Sequence, residues 1–215
     1  MDSVSPDNDL IISRLALVGR LTGHVVHDVN NTLSPLVGKI QILRMRQSPD
    51  LENLSADLEI METESISASR RLQVLSQLSR EALVTEPPKP IVISDCVREM
   101  EFLVGHHLQR RGFGVELGMD SSMPAAAACS IDVKLVIGGF MIAALTAAPS
   151  GGLFRIESSH ENEDHISLYL TVEGLENQFV IPHELKSLIR AVSTHIRIDL
   201  SAAESGRITL GFQPA

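Results

Sequence analysis

The sequence predicts an α+β protein in two parts: an N-terminal antiparallel helical hairpin that pairs into a dimeric four-helix bundle, and a C-terminal α/β sandwich. Three observations carry this. Apolar residues recur at three- and four-residue spacing through the first third of the chain, as in amphipathic helices. Pro87, Pro88 and Pro90 then crowd into residues 85–90, which favours an extended spacer over helix or sheet. Beyond the prolines, helical and alternating periods mix, as in helices laid on one face of a mixed sheet. The parts are residues 1–86 and 91–215.

The first helix starts near Asp7 or Asp9, whose carboxylates can cap it, and runs to about Arg46. Val18, Val25, Val29, Leu36, Ile40 and Leu43 form its apolar side, at spacings of 7, 4, 7, 4 and 3. Pro35 lies inside this pattern and removes a backbone donor, so a bend is expected one turn earlier. The short turn at 47–50 makes the next helix an antiparallel neighbour. That helix carries a heptad-like seam: Leu51, Leu54, Leu58, Met61, Ser65, Ala68, Leu72, Leu75, Ser79 and Ala82. Two helices cannot cover two apolar faces alone; a homodimer is the economical solution, and packing against the rest of the chain is the intramolecular alternative.

After the linker, a short strand at 91–93 leads to a helix at 94–111 capped by Ser94, then a strand at 113–119. Ser130 and Asp132 open a helix to residue 148, closed by Pro149-Ser150-Gly151-Gly152. Strands at 153–159 and 166–172 flank a charged turn at 161–164. Pro182 starts a helix to residue 194, and 195–200 with 207–212 form a last hairpin around Glu204-Ser205-Gly206.

Composition narrows the function classes. The net charge is −9 and the pI about 5.3. No basic run is interleaved with aromatics, which argues against nucleic acid. The apolar stretch 135–148 falls short of the roughly 20 residues that cross a bilayer, so no membrane span is expected. The N-terminus, MDSVSPDNDL, is acidic and does not read as a signal peptide. Cys96 and Cys129 stand in no ligand spacing, which suits a reduced, cytoplasmic protein.

At about 100° per residue, Arg20, Gly23, His24, His27, Asn31, Ser34, Gly38 and Gln41 share one polar or small stripe of the first helix, opposite its apolar side. At its centre an imidazole is followed by a carboxylate, Asp28, and one turn later by the Asn31 carboxamide. His24 and His27 could share a metal at i, i+3, but no third ligand is evident nearby, so no metal is expected. His106 and His107 read as solvated surface residues facing different directions.

His27-Asp28-Val29-Asn30-Asn31, followed by a leucine and a proline, resembles the H-box of bacterial sensor histidine kinases, in which a helical histidine carries a phosphoryl group. The resemblance is good over about residues 10–85 and holds in outline beyond. It implies that His27 is the phosphoacceptor, that Asp28 orients and deprotonates it, and that Asn31 matches the position able to place a water for dephosphorylation. Arg20, Gly23, His24, Ser34, Gly38 and Gln41 are then the partner-docking residues around it.

The later elements resemble the family's ATP-binding domain, with 132–156 matching its asparagine-bearing helix and the following strand. The nucleotide motifs are missing. Ala143 stands near the Mg²⁺-coordinating asparagine, Glu173-Gly174-Leu175-Glu176 replaces the adenine-contacting Asp-x-Gly-x-Gly, and residues 185–194 contain no glycine for a lid. A triphosphate needs a metal ligand and glycine backbone donors. The resemblance therefore implies a degenerate, ATP-free domain and no cofactor, with Mg²⁺ supplied only by the partner.

Imidazole, with an ordinary pKa near ~6.5, is largely neutral at pH 7 and has a free nucleophilic nitrogen. The expected function is a histidine phosphotransferase relaying phosphate between response-regulator receiver domains, docked mainly by shape and apolar contact. The rivals are a non-catalytic adaptor of two-component signalling and an ATP-dependent histidine kinase.

Overall fold

The computed structural model describes residues 6–45, 51–148, 150–162, 165–175, 179–193 and 196–215. The expected turn at 47–50, Pro149, residues 163 and 164 of the turn at 161–164, and residues 194 and 195 lie outside them. Helix α1, Pro6–Met45, starts with a proline in the first turn, where a missing N–H loses no helix bond. It is helical through Pro35. Helix α2, Leu51–Glu81, runs back along it.

Strand β1, Lys89–Ile91, is where the expected linker differs, because Pro90 lies within a strand. It pairs antiparallel with β3, Ala126–Ala128, which the sequence reading missed. A two-stranded sheet leaves β1 an open edge, so a proline without N–H is tolerated there. Ser94 and Ser130 are not caps: the N-cap positions are Val92 and Cys129, without side-chain cap bonds.

The helix expected at 94–111 is three pieces in one run: α3, Ile93–Met100, a π turn at Glu101–Gly105, and α4, His106–Arg110. The main sheet has the order β2-β4-β5-β7-β6. Its strands are β2 (Phe113–Gly118), β4 (Gly152–Asn162), β5 (His165–Glu173), β6 (Arg197–Asp199) and β7 (Arg207–Phe212), and only the β2–β4 pair is parallel. Helix α5, Ser130–Ala147, and helix α6, His183–Val192, belong to the layer that covers one face. Phe154, Ile156, Leu168, Leu170, Ile208 and Leu210 are buried in the core. On the other face, Arg155 bridges Glu116 and Glu173. The architecture is the predicted α+β arrangement of helical hairpin and α/β sandwich.

The hairpin and the sandwich share one core. Leu17, Val18, Leu21, Val25 and Val29 of α1 are buried in the same cluster as Phe140 of α5 and Leu185 of α6. The approach is close enough to require glycine. A Cβ on Gly138 would stand 3.2 Å from Leu21 Cδ2, and one on Gly139 would stand 3.2 Å from both Leu17 and Leu185 methyls. Helix α5 is apolar and long enough to cross a membrane by composition, but 89% of it is buried here. It is a core helix.

Polar ties reinforce this seam. Arg14, 1% exposed, donates from Nε and NH2 to the two Asp132 oxygens at 2.7 and 2.9 Å and from NH1 to the Val84 carbonyl at 2.8 Å. Buried Lys134 meets Glu99 at 3.0 Å and Glu81 at 3.4 Å. The hairpin keeps a second apolar surface: Val26, Leu33, Val37 and Ile40 of α1 and Leu58 and Leu72 of α2 stay exposed. The predicted α2 seam is therefore split, with Ala68, Leu75 and Ala82 buried inside the chain.

Candidate functional site

His27 is exposed on α1, and its ring is held from one turn later. Asn31 Nδ2 lies 3.0 Å from His27 Nδ1. A half-turn of this amide would exchange donor for acceptor, and with it the ring nitrogen that carries the proton. Pro35 has no N–H, so it leaves the Asn31 carbonyl without its usual helix donor.

Asp28 does something other than expected. It is 2% exposed and points into the seam, and no hydrogen bond joins it to His27 among the described residues. His106 Nδ1 meets its Oδ2 at 2.8 Å, and His107 Nδ1 meets its Oδ1 at 3.3 Å. Arg110 NH1 is 3.8 Å and Arg71 NH1 3.9 Å away. Burial alone would push the Asp28 carboxyl up, but hydrogen bonds from His106 and His107 outweigh it and hold the group below the usual carboxylate range.

His106 and His107 are thus not solvated surface residues. That expectation took 94–111 as one α-helix, in which adjacent side chains diverge by about 100°. The π turn just before them takes an extra residue and re-aims the helical turn after it. Both rings reach the same carboxylate.

His107 also removes the premise that His24 and His27 lack a third neighbour. Its Nε2 lies 3.2 Å from His24 Nδ1, and its ring stands edge-on to His27 with centroids 6.1 Å apart. Burial, followed by the proximity of His107 and Arg20, lowers the His24 pKa and favours its neutral form. Ligand atoms of His27, Asp28 and His107 lie within 4.8 Å of one another.

Arg20, Gly23, His24 and His27 line one groove of about 680 Å³, closed on the other side by His107 and Arg111 and by Leu145 and Thr146. Arg20 also pairs with Glu184 of α6 at 3.0 Å. Ser34, Gly38 and Gln41 lie farther along α1, beyond the groove lining. The Ser34 hydroxyl donates to the Asn30 carbonyl at 2.8 Å, and neither Gly23 nor Gly38 has an atom near its missing Cβ. The residues the sequence reading missed are His106, His107, Arg110 and Arg71. The one sequence signal was the run His106-His107-Leu108-Gln109-Arg110-Arg111, and nothing local ties it to a residue 78 positions earlier.

Ala143, near the position of a metal-binding asparagine in the resemblance, is buried. Gly174 lies at φ 85°, and its missing Cβ would meet Gly152 Cα at 3.1 Å, so the turn itself accounts for this glycine.

No protein-family model matches the sequence, and no curated protein matches it. Solved structures do match. Full-length ShkA, solved in complex with AMPPNP, aligns with a TM-score of 0.50 at 14% identity, over 99% of this chain and 47% of its own. The histidine kinase AdeS of Acinetobacter baumannii aligns over 88% of this chain and 97% of its own, at 13% identity and a TM-score of 0.45. Histidine kinase ThkA, solved with the response regulator TrrA, aligns over 100% of this chain and 68% of its own, at 17% identity and a TM-score of 0.43. The chain has a histidine-kinase-like α+β fold.

Proposed function

We propose that the protein acts in two-component signalling as a cytoplasmic, homodimeric histidine phosphotransferase, passing a phosphoryl group between receiver domains through His27 without using ATP. The observation that carries the reading is an exposed imidazole on a helix locked into the core, steadied by Asn31 at 3.0 Å and opening onto a groove. In the step, a His27 nitrogen forms the N–P bond while the O–P bond of a receiver's aspartyl phosphate breaks. The aspartate leaves as a carboxylate, and the ring proton passes to solvent or to a neighbouring base. Such a transfer asks mainly for positioning and charge stabilisation, and Mg²⁺ held by the receiver would supply the latter.

The absence of nucleotide motifs has a packing counterpart. Where the resemblance places an ATP-binding helix, α5 has Gly138 and Gly139 against Leu17, Leu21 and Leu185, and the side chain of buried Ala143 has no ligating atom. This packing supports the ATP-free reading. The exposed apolar residues of the hairpin, Leu72 among them, support the four-helix-bundle homodimer, and Leu72→Asp should lower the mass seen by light scattering.

The deciding experiment mixes the purified protein with labelled ATP alone, then with phosphorylated receiver domains, beside His27→Gln. Label arriving from receivers only, and lost in the variant, is expected. Label from ATP would make the protein a kinase. No label under either condition would make it an adaptor.

A further inference from the structure

Four of the chain's 8 histidines, His24, His27, His106 and His107, meet at one place between hairpin and sandwich. We propose that His24, His27 and His107 bind a divalent cation of the zinc class, with Asp28 orienting His107 from behind. The central observation is the 3.2 Å between His24 Nδ1 and His107 Nε2. Two nitrogens bound to one tetrahedral zinc, each at about 2.0–2.1 Å, lie about 3.3 Å apart. The two rings already stand at the spacing of a ligand pair.

The orientation of His107 agrees. Its Nδ1 faces Asp28 Oδ1 at 3.3 Å, and the tautomer that donates to this carboxylate turns the Nε2 lone pair toward His24. A carboxylate behind a metal-binding histidine performs this task in many zinc sites. His27 follows His24 by one helical turn, and its ring is perpendicular to His107, at 89°. The ion belongs on the imidazole side, because Arg110 and Arg71, 3.8 and 3.9 Å from Asp28, would repel a dication bound to the carboxylate. That side opens into the groove, which gives an entry path and room for a water in the fourth position. Three imidazoles favour Zn²⁺, Ni²⁺ or Cu²⁺ over the oxygen-seeking Mg²⁺ and Ca²⁺.

A cation held there occupies the lone pair with which His27 would attack phosphorus, so binding silences transfer. This consequence rests on the phosphotransferase reading; binding itself does not.

The full-length, chelator-stripped protein is titrated with Zn²⁺ by calorimetry and with Co²⁺ by visible absorption, without any receiver. One ion per chain with tetrahedral Co²⁺ bands is expected, weakened about tenfold or more in His24→Gln and in His107→Gln, with Asp28→Asn in the about 10–100-fold range of an outer-shell loss. Zinc-dependent shifts of the His24, His27 and His107 ring resonances in the unaltered protein provide a readout that no folding defect can mimic. Absence of saturable binding, or binding with those rings unmoved, overturns the site. Phosphotransfer is then timed with and without Zn²⁺. Binding with an unchanged rate removes His27 from the ligand set and overturns the three-histidine site, whereas inactivity in metal-free buffer counts only against the phosphotransferase reading.

Discussion

Two buried carboxylates join the hairpin to the sandwich, and they are built differently. Asp132 meets a single guanidinium, Arg14, through two bonds at 2.7 and 2.9 Å, and both side chains are nearly inaccessible, at 1% and 4%. Asp28 gathers four positive or protonatable groups at 2.8–3.9 Å, of which His106 and Arg110 remain 34% and 44% exposed. The Asp132 pair is closed, whereas the Asp28 cluster is crowded, reaches solvent and stands beside the candidate nucleophile. A closed pair suits a fixed seam. An open cluster of imidazoles can exchange protons, ligands and partners.

Breaking the closed pair should have the largest effect. Asp132→Ala leaves Arg14 charged in the core, and losing one partner of a buried pair costs about 3–5 kcal/mol. Urea denaturation should show that loss, and a change below about 1 kcal/mol would place the pair among ordinary surface bridges. Asp28→Asn should cost less, about 1–3 kcal/mol, because His106 and Arg110 can turn to water. Equal losses in the two variants would erase the distinction between the sites.

The distinction sharpens with pH. The folded-state pKa of Asp28 lies below its unfolded value of about 3.9, so the folded protein binds fewer protons there. The stabilisation is fully present above the unfolded value and is lost as pH falls through the folded one. His24 acts in the same sense at higher pH. Its lowered pKa makes protonation oppose folding, so stability falls as pH drops from the unfolded value of about 6.5 toward the folded one. Stability measured from pH 8 downward should decline in two steps. The upper step should vanish in His24→Gln and the lower should shrink in Asp28→Asn, and a profile unchanged by either substitution would deny both assignments.

Much of the architecture was legible in the sequence because local rules govern it. The apolar residues Val18, Val25, Val29 and Leu36 follow the helical period and are buried, and strand β7 occupies the expected residues 207–212. The His27–Asn31 contact was equally local, one turn of one helix. The features that escaped were non-local or broke the period. Strand β3 is three alanines, with no β-branched or aromatic residue to mark it, and it exists by pairing with β1. The company kept by Asp28 depends on a π turn that a uniform 3.6-residue count passes over and on a contact across 78 residues. The seam on α1 was ambiguous because the same valines and leucines would serve a bundle or a domain interface.

The smallest effect concerns Arg71, which tests whether the Asp28 cluster is balanced or over-supplied with charge. Arg71 is 5% exposed, and its Nε and NH1 have no hydrogen-bond partner among the described residues. It faces the Asp28 oxygen at 3.9 Å and the Phe102 ring, whose centroid is 6.0 Å from Cζ. Burying two guanidinium nitrogens without hydrogen bonds is unfavourable, and replacing such a group by an apolar one of similar length is often neutral or stabilising. His106 and His107 already occupy the two Asp28 oxygens, so Arg71→Met should leave the melting temperature unchanged or slightly higher, within about 1 kcal/mol of the original stability. A loss as large as that of Asp132→Ala would mean that Asp28 depends on Arg71 as Asp132 depends on Arg14, and the two carboxylates would then be alike. Unchanged stability with an altered rate of phosphoryl transfer would instead assign the Arg71 guanidinium to the reaction proposed for the neighbouring helix turn.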